Sequence, residues 1–173
     1  MMRYKTYKDF IRKMNFLARE KRFPLRAMFE LTYRCNFRCK HCYNSNIQKE
    51  SKPAEELNTK EVFAILKQLR NLGCLYLGFT GGEIFLRKDI LDIISYARRL
   101  GLEVIILTNA SLIDEDMADR LKEQALNKVD ITVHAIDENV FDRITQITGS
   151  RNRIFKAIDL LYKQRTYRLM FMY

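Results

Sequence analysis

Residues 74–109 read CLYLGFTGGEIFLRKDILDIISYARRLGLEVIILTN, and this stretch decides the fold class. It opens on a short apolar run, Cys74–Thr80, and closes on another, Leu102–Thr108. Between them Ile90, Ile93, Ile94 and Ala97 recur at the spacing of a helix with one buried side. Gly101 stands where that helix ends, because the residue after a helix commonly takes a positive φ that glycine adopts without strain. The two runs are apolar on consecutive residues, the pattern of strands covered on both sides. Strand, helix and strand together make a βαβ unit, which is right-handed and feeds a parallel sheet.

The same alternation extends outward. Upstream, Phe10, Met14, Leu17 and Ala18 mark a helix over residues 5–20, Pro24 ends it, and Leu25–Thr32 reads as a strand. A polar, cysteine-rich loop then runs to about Pro53, and Asn58 or Thr59 can cap a helix carrying Val62, Ile65, Leu66 and Leu69 on one face. Downstream come a helix over Asp114–Ala125, a strand over Val129–Ile136, a helix over Asn152–Lys163 with Ile154, Ile158 and Leu161 aligned, and a strand beginning at Arg168–Tyr173. An initial helix is thus followed by five strands and four crossover helices. A barrel and an open doubly wound sheet both fit this order, and both keep their chemistry on loops at the carboxyl ends of the strands.

Composition narrows the class further. A chain of 173 residues, 47% hydrophobic and 30% charged with only 6 Gly and 2 Pro, supports one domain with a sizeable core and excludes disordered and collagen-like architectures. It holds no apolar run of about 18 residues to span a membrane, and its basic start lacks the apolar stretch of a secretory signal, so a reducing, cytoplasmic setting is expected. The net charge of +10 is concentrated in residues 1–26, where nine Lys and Arg face only Asp9 and Glu20. A second basic group comprises Arg151, Arg153, Lys156, Lys163, Arg165 and Arg168. Such clusters can meet RNA, DNA or an acidic peptide, and a solvated helix face is the plainer reading.

The residues able to carry chemistry follow the strands. After the first comes Cys35-Asn36-Phe37-Arg38-Cys39-Lys40-His41-Cys42, three thiols in a CxxxCxxC loop that can converge on one soft metal centre. An odd number of clustered cysteines argues against disulfides. Zinc competes, with His41 as a fourth ligand, although His41 directly precedes Cys42 and joint ligation is awkward. Three cysteines on an iron–sulfur cubane leave one iron open. Cys74 reads as a small core residue. Gly81, Gly82 and Glu83 follow the second strand, where two glycines allow close backbone approach and their amides can bind a small polar group. Asn109, after the third strand, can read a ligand or cap a helix. His134, at the end of the fourth, can face a pocket or fill the interior. Arg143 can meet a carboxylate ligand or pair with Asp142 or Asp137.

Together, Cys35-x3-Cys39-x2-Cys42, Gly81-Gly82-Glu83 and Thr108-Asn109, each after a strand, resemble the radical S-adenosylmethionine (radical SAM) superfamily. Residues Leu25–Tyr43 are especially similar to members with a C-terminal SPASM extension, many of which modify ribosomal peptides, and Val129–Leu161 is similar too. The likeness covers about residues 24–165. It implies a partial (β/α) TIM-like barrel of parallel strands, about five of them, preceded by a basic N-terminal helix over residues 1–23. It implies a [4Fe-4S] cluster on Cys35, Cys39 and Cys42, with the open iron chelating the amino and carboxylate groups of SAM. Gly81, Gly82 and Glu83 would face the amino group, His41 would lie against adenine, and Arg143 would meet the carboxylate. Strand four of the family usually ends in a small hydroxyl residue near the ribose, where this sequence has His134. One-electron reduction of SAM, by a flavodoxin or ferredoxin-like protein, would give methionine and a 5′-deoxyadenosyl radical that attacks a peptide or small molecule. Nucleic acid is not expected as a partner. Family barrels have six strands, whereas this chain stops within its fifth, exposing Leu169, Met170 and Phe171, and has no cysteine after Cys74. A truncated copy or fragment is therefore expected, with residues 24–173 as its core. The alternatives are an inactive fragment or a non-catalytic metal-binding module whose basic arm contacts nucleic acid.

Overall fold

Five strands run parallel and stack in sequence order: β1 (Arg26–Thr32), β2 (Tyr76–Gly81), β3 (Glu103–Thr108), β4 (Lys128–Thr132) and β5 (Arg168–Met172). The computed structural model describes residues 6–46, 52, 55–124, 126, 128–164 and 168–172. Lys5, Pro53, Ala125, Arg165 and Tyr173 lie outside the described residues, as do the side chains of β5, including Leu169, Met170 and Phe171. A doubly wound sheet reverses its strand order at a switch point, whereas a barrel adds each strand beside the last. The uninterrupted order is that of a partial (β/α) barrel.

The helices are α1 (Tyr7–Glu20), α2 (Thr59–Asn71), α3 (Ile90–Arg99), α4 (Glu115–Glu123), α5 (Glu138–Thr145) and α6 (Ser150–Gln164), with a single 3₁₀ turn at Ile84–Leu86. Local chemistry sets their starts. Asn58 and Glu61 form a reciprocal capping box on α2, Asp114 accepts from the Met117 N–H on α4, and Asp137 accepts from the Val140 N–H on α5. Gly101 takes φ +77° just beyond α3, as expected of that position.

The core lies between the sheet and the helices. Leu77 and Phe79 of β2, Val104 and Ile106 of β3, and Val129 and Ile131 of β4 are fully buried against Leu66 of α2, Ile93 and Ile94 of α3, Leu121 of α4 and Ile154 of α6. The opposite face is less covered: Ile105 and Leu107 are only half-buried, and Met28 is exposed. The apolar runs are therefore not covered by helices on both sides, as their composition suggests; one face is the barrel interior. Cys74 is buried in the core as expected. Among the described residues, no helix is long and apolar enough to cross a membrane.

Two differences from the sequence reading matter for the site. Strand β4 stops at Thr132 rather than Ile136, and after a five-residue connection comes α5, a two-turn helix that the periodicity does not announce. Eight residues with Val140, Phe141 and Ile144 as the apolar positions are too few to establish a helical period.

Candidate functional site

The carboxyl ends of the first four strands surround one cavity of about 290 Å³. Cys35, Cys39, His41 and Cys42 reach it from the loop after β1, Gly81 and Gly82 from β2, Asn109 from β3, and Thr132 and His134 from β4 and its exit. Of the candidate ligand-binding residues singled out in the sequence, Glu83 and Arg143 are not on its wall.

The cysteine loop is held from two sides. On one, the N–H groups of Gly82 and Glu83 donate to the carbonyls of Thr32 and Arg34 at 2.7 and 2.8 Å. A side chain on Gly82 would overlap the carbonyl oxygens of Arg34 and Tyr33, and Gly81 takes φ +138° against Thr32. The glycine pair thus docks the root of the loop, and the Gly82 amide, one of the two glycine amides expected to bind a polar group, is engaged by Thr32. On the other side, the N–H groups of Arg38 and Lys40 donate to the carbonyls of Thr145 and Ile144 at 3.0 Å each. Those carbonyls belong to the last turn of α5, where a helix has no acceptor use for them. The helix that the sequence reading missed is therefore one of the loop's two anchors.

A third support was also illegible. Arg34 grips Glu56 with two hydrogen bonds at 2.8 and 3.0 Å, and the Thr32 hydroxyl donates to the same carboxylate. Arg87, 3.7 Å from Glu56, is buried on the carbonyls of Leu31 and Leu57 and pairs with Asp89 at 2.8 Å. These charges come from three distant segments, so no local spacing could flag them.

Glu83 is fully buried and accepts from the Thr108 hydroxyl at 2.7 Å, the Asn109 N–H at 2.8 Å and the Phe85 N–H at 3.1 Å. Burial pushes its carboxyl above the ordinary value, against these three donors. It ties the glycine turn to the end of β3.

The thiols are not cross-linked. Burial pushes the Cys39 thiol up to about 11, assisted by the charges of Cys35 and Cys42. Burial likewise raises Cys35, opposed by the Phe37 N–H and raised further by Glu83 and Cys42. The three sulfurs are close enough to repel one another as thiolates, which a bound cation would relieve. Among the described residues, no three His, Cys, Asp or Glu side chains already form a closed chelate, so the thiols share a cavity wall without converging on a point. A soft, all-thiol donor set on one loop fits an iron–sulfur cluster. The His41 and His134 rings meet edge to face with centroids 4.9 Å apart, and His134 Nε2 lies 3.8 Å from Cys39 Sγ. Burial, then the neighbouring His41, lowers the His134 pKa.

Arg143 is exposed on α5 and lines a separate surface cavity with Asp137, Asn139 and Thr148. The adjacent Asp142 instead caps α6. The Ser150 hydroxyl, against a desolvation cost, and then the N–H groups of Gly149, Arg151 and Ser150 hold its carboxyl below the ordinary 3.8. A carboxyl depressed on folding contributes stability that is complete above its unfolded pKa and is lost as pH falls through the folded one. The melting temperature of the protein is expected to fall on acidification below about pH 4, and to fall less in Asp142→Asn, which starts lower. Parallel melting curves for the two proteins across that range would show that the cap contributes nothing.

The family model described as the Radical SAM superfamily matches residues 29–173. Fe-coproporphyrin III synthase of Methanosarcina barkeri (strain Fusaro / DSM 804) is 38% identical over 112 residues, 65% of this chain and 28% of that protein. PqqA peptide cyclase of Gluconobacter oxydans (strain 621H) is 33% identical over 138 residues, 80% of this chain and 38% of that protein. Among solved structures, Streptococcus suis SuiB bound to S-adenosylmethionine superposes with a TM-score of 0.71, and SuiB bound to its precursor peptide SuiA with 0.73. Both share 19% identity over 98% of this chain, covering 40% and 39% of SuiB, which is a likeness of fold. The chain therefore spans well under half the length of these relatives.

Proposed function

This chain belongs to the radical SAM superfamily, and on that premise we propose that Cys35, Cys39 and Cys42 hold a [4Fe-4S] cluster beside a site for S-adenosylmethionine. The observation that carries this reading is that the three thiols line one cavity with Gly81, Gly82 and Asn109, at the ends of three successive parallel strands. When bound, the pair supplies reductive cleavage of SAM to methionine and a 5′-deoxyadenosyl radical.

The chain's own residues bind and orient. His41 offers a ring to adenine from the loop. Thr132, at the end of β4, lines the cavity and is our candidate for the ribose contact, being a small hydroxyl residue where the sequence pattern points to His134. His134, its pKa lowered, is neutral near pH 7 and offers a lone pair or an N–H beside Cys39. Glu83 acts from behind the wall by holding the glycine turn against β3. Arg143, facing another cavity, is assigned no contact with SAM. A peptide is the substrate class we favour, because PqqA peptide cyclase and peptide-bound SuiB are among the similar proteins. A flavodoxin or ferredoxin-like protein of the cytoplasm would supply the electron.

Anaerobic reconstitution with iron and sulfide is expected to load about four irons per chain and give a broad visible absorption. Addition of SAM and dithionite should then release 5′-deoxyadenosine. A wild-type protein that stays colourless, or that takes up zinc alone, sinks the proposal.

A further inference from the structure

Behind Cys35 lies a closed circuit of hydrogen bonds among Asn36, Asn109 and Ser111. The backbone N–H of Ser111 meets the Asn109 side-chain amide at 2.9 Å. A backbone N–H can only donate, so the facing atom is Oδ1, and the orientation of this amide is determined by chemistry. The Ser111 hydroxyl donates to the same oxygen at 2.6 Å. The NH₂ group of Asn109 is therefore turned toward the cysteine loop, where it donates to Asn36 Oδ1 at 2.9 Å and lies 3.9 Å from Cys35 Sγ. Asn36 closes the circuit by donating from Nδ2 to Ser111 Oγ at 2.7 Å. Each of the three side chains has one consistent donor and acceptor assignment, and bonds linked in this way reinforce one another. Ala110 sits at φ +60°, a region that residues other than glycine seldom occupy, and this turn brings Ser111 back onto Asn109. The Phe37 N–H reaches the same sulfur at 3.4 Å.

We propose that this circuit aims the Asn109 amide at the Cys35 sulfur, so that Asn109 raises the reduction potential of the cluster, with Asn36 and Ser111 as positioning residues. The inference rests on the cluster reading above. Reduction adds one electron to a centre that shares its charge with its thiolate ligands. Hydrogen bonds to those sulfurs favour the more negative state and are a principal means by which a protein sets the potential. A circuit that served the fold alone would not need a free amide hydrogen turned to a sulfur.

The test is spectroelectrochemical titration of the reconstituted wild type and of Asn109→Ala, Ser111→Ala and Asn36→Ala, with iron measured in each. With iron content unchanged, Asn109→Ala is expected to shift the one-electron reduction equilibrium about tenfold toward the oxidised state, about 59 mV. Ser111→Ala and Asn36→Ala should shift it the same way by less, because the amide remains but is no longer locked. Unchanged potentials in iron-loaded variants overturn the inference. If Asn109→Ala takes up no iron, the other two decide: a lowered potential supports the assignment, whereas an unchanged potential or loss of iron in both reduces the circuit to a loop scaffold and overturns it. A wild type without iron overturns the cluster reading itself, and this inference with it, so the two failures are told apart.

Discussion

Gly82→Val is expected to destabilise the protein by about 3 kcal/mol and to abolish iron uptake. The glycine pair reads at first as a ligand cradle, yet Gly82 faces the carbonyls of Tyr33 and Arg34, on the root of the cysteine loop. Backbone cannot swing aside as a flexible side-chain tip can. A branched side chain at this position must part the end of β2 from the loop and break the bonds from the Gly82 and Glu83 N–H groups to Thr32 and Arg34. The loop would then be held by α5, by the ion pair of Arg34 with Glu56 and by the bonds of Asn36 to Asn109 and Ser111. In a chain of this size a loss of that order lowers the melting temperature by about 6–12 °C. Gly82→Ala should give a smaller fall in the same direction. A Gly82→Val protein that melts with the wild type and loads iron fully would show that the turn is free to relax.

Cys39→Ala is expected to remove the cluster while leaving the apo fold within about 1 kcal/mol of wild type. Its thiol is half-buried and, with its pKa raised, uncharged in the metal-free protein, so alanine removes no charge and little packing. Two remaining cysteines cannot hold a cubane that already lacks one protein ligand. Iron per chain and visible absorption should both fall to background, with thermal melting of the metal-free protein nearly unchanged. This contrast with Gly82→Val, which should lose stability and iron together, separates a ligand from the support of a ligand. Full iron retention in Cys39→Ala would remove Cys39 from the ligand set.

Much of the site was legible because its chemistry is local. Cys35, Cys39 and Cys42 lie within eight residues, and Gly81-Gly82 and Asn109 each follow a strong apolar run, so strand ends could be read and their residues placed at one mouth. Where the apolar run is weak, the period misleads. Apolar residues continue to Ile136, so the sequence places His134 at the end of the fourth strand and does not mark Thr132, although both line the cavity. Nor does it mark α5, whose last carbonyls hold the cysteine loop. The burial of Glu83 among Thr108, Asn109 and Phe85 has no local signal and is seen only in the tertiary structure.

By itself the sequence determined the alternation of strand and helix, because the period of apolar residues follows from local backbone geometry. It also placed three thiols on one short loop, the set we propose as ligands, because their spacing is local. The choice between a barrel and a doubly wound sheet was left to the tertiary structure, since both are built from identical βαβ units and differ only in which neighbour each strand joins. Tertiary structure alone also brought Arg34, Glu56 and Arg87 together and closed Asn36, Asn109 and Ser111 into a circuit. Apart from the turn that carries Ser111 onto Asn109, those contacts join segments 20 or more residues apart, and no local period records them.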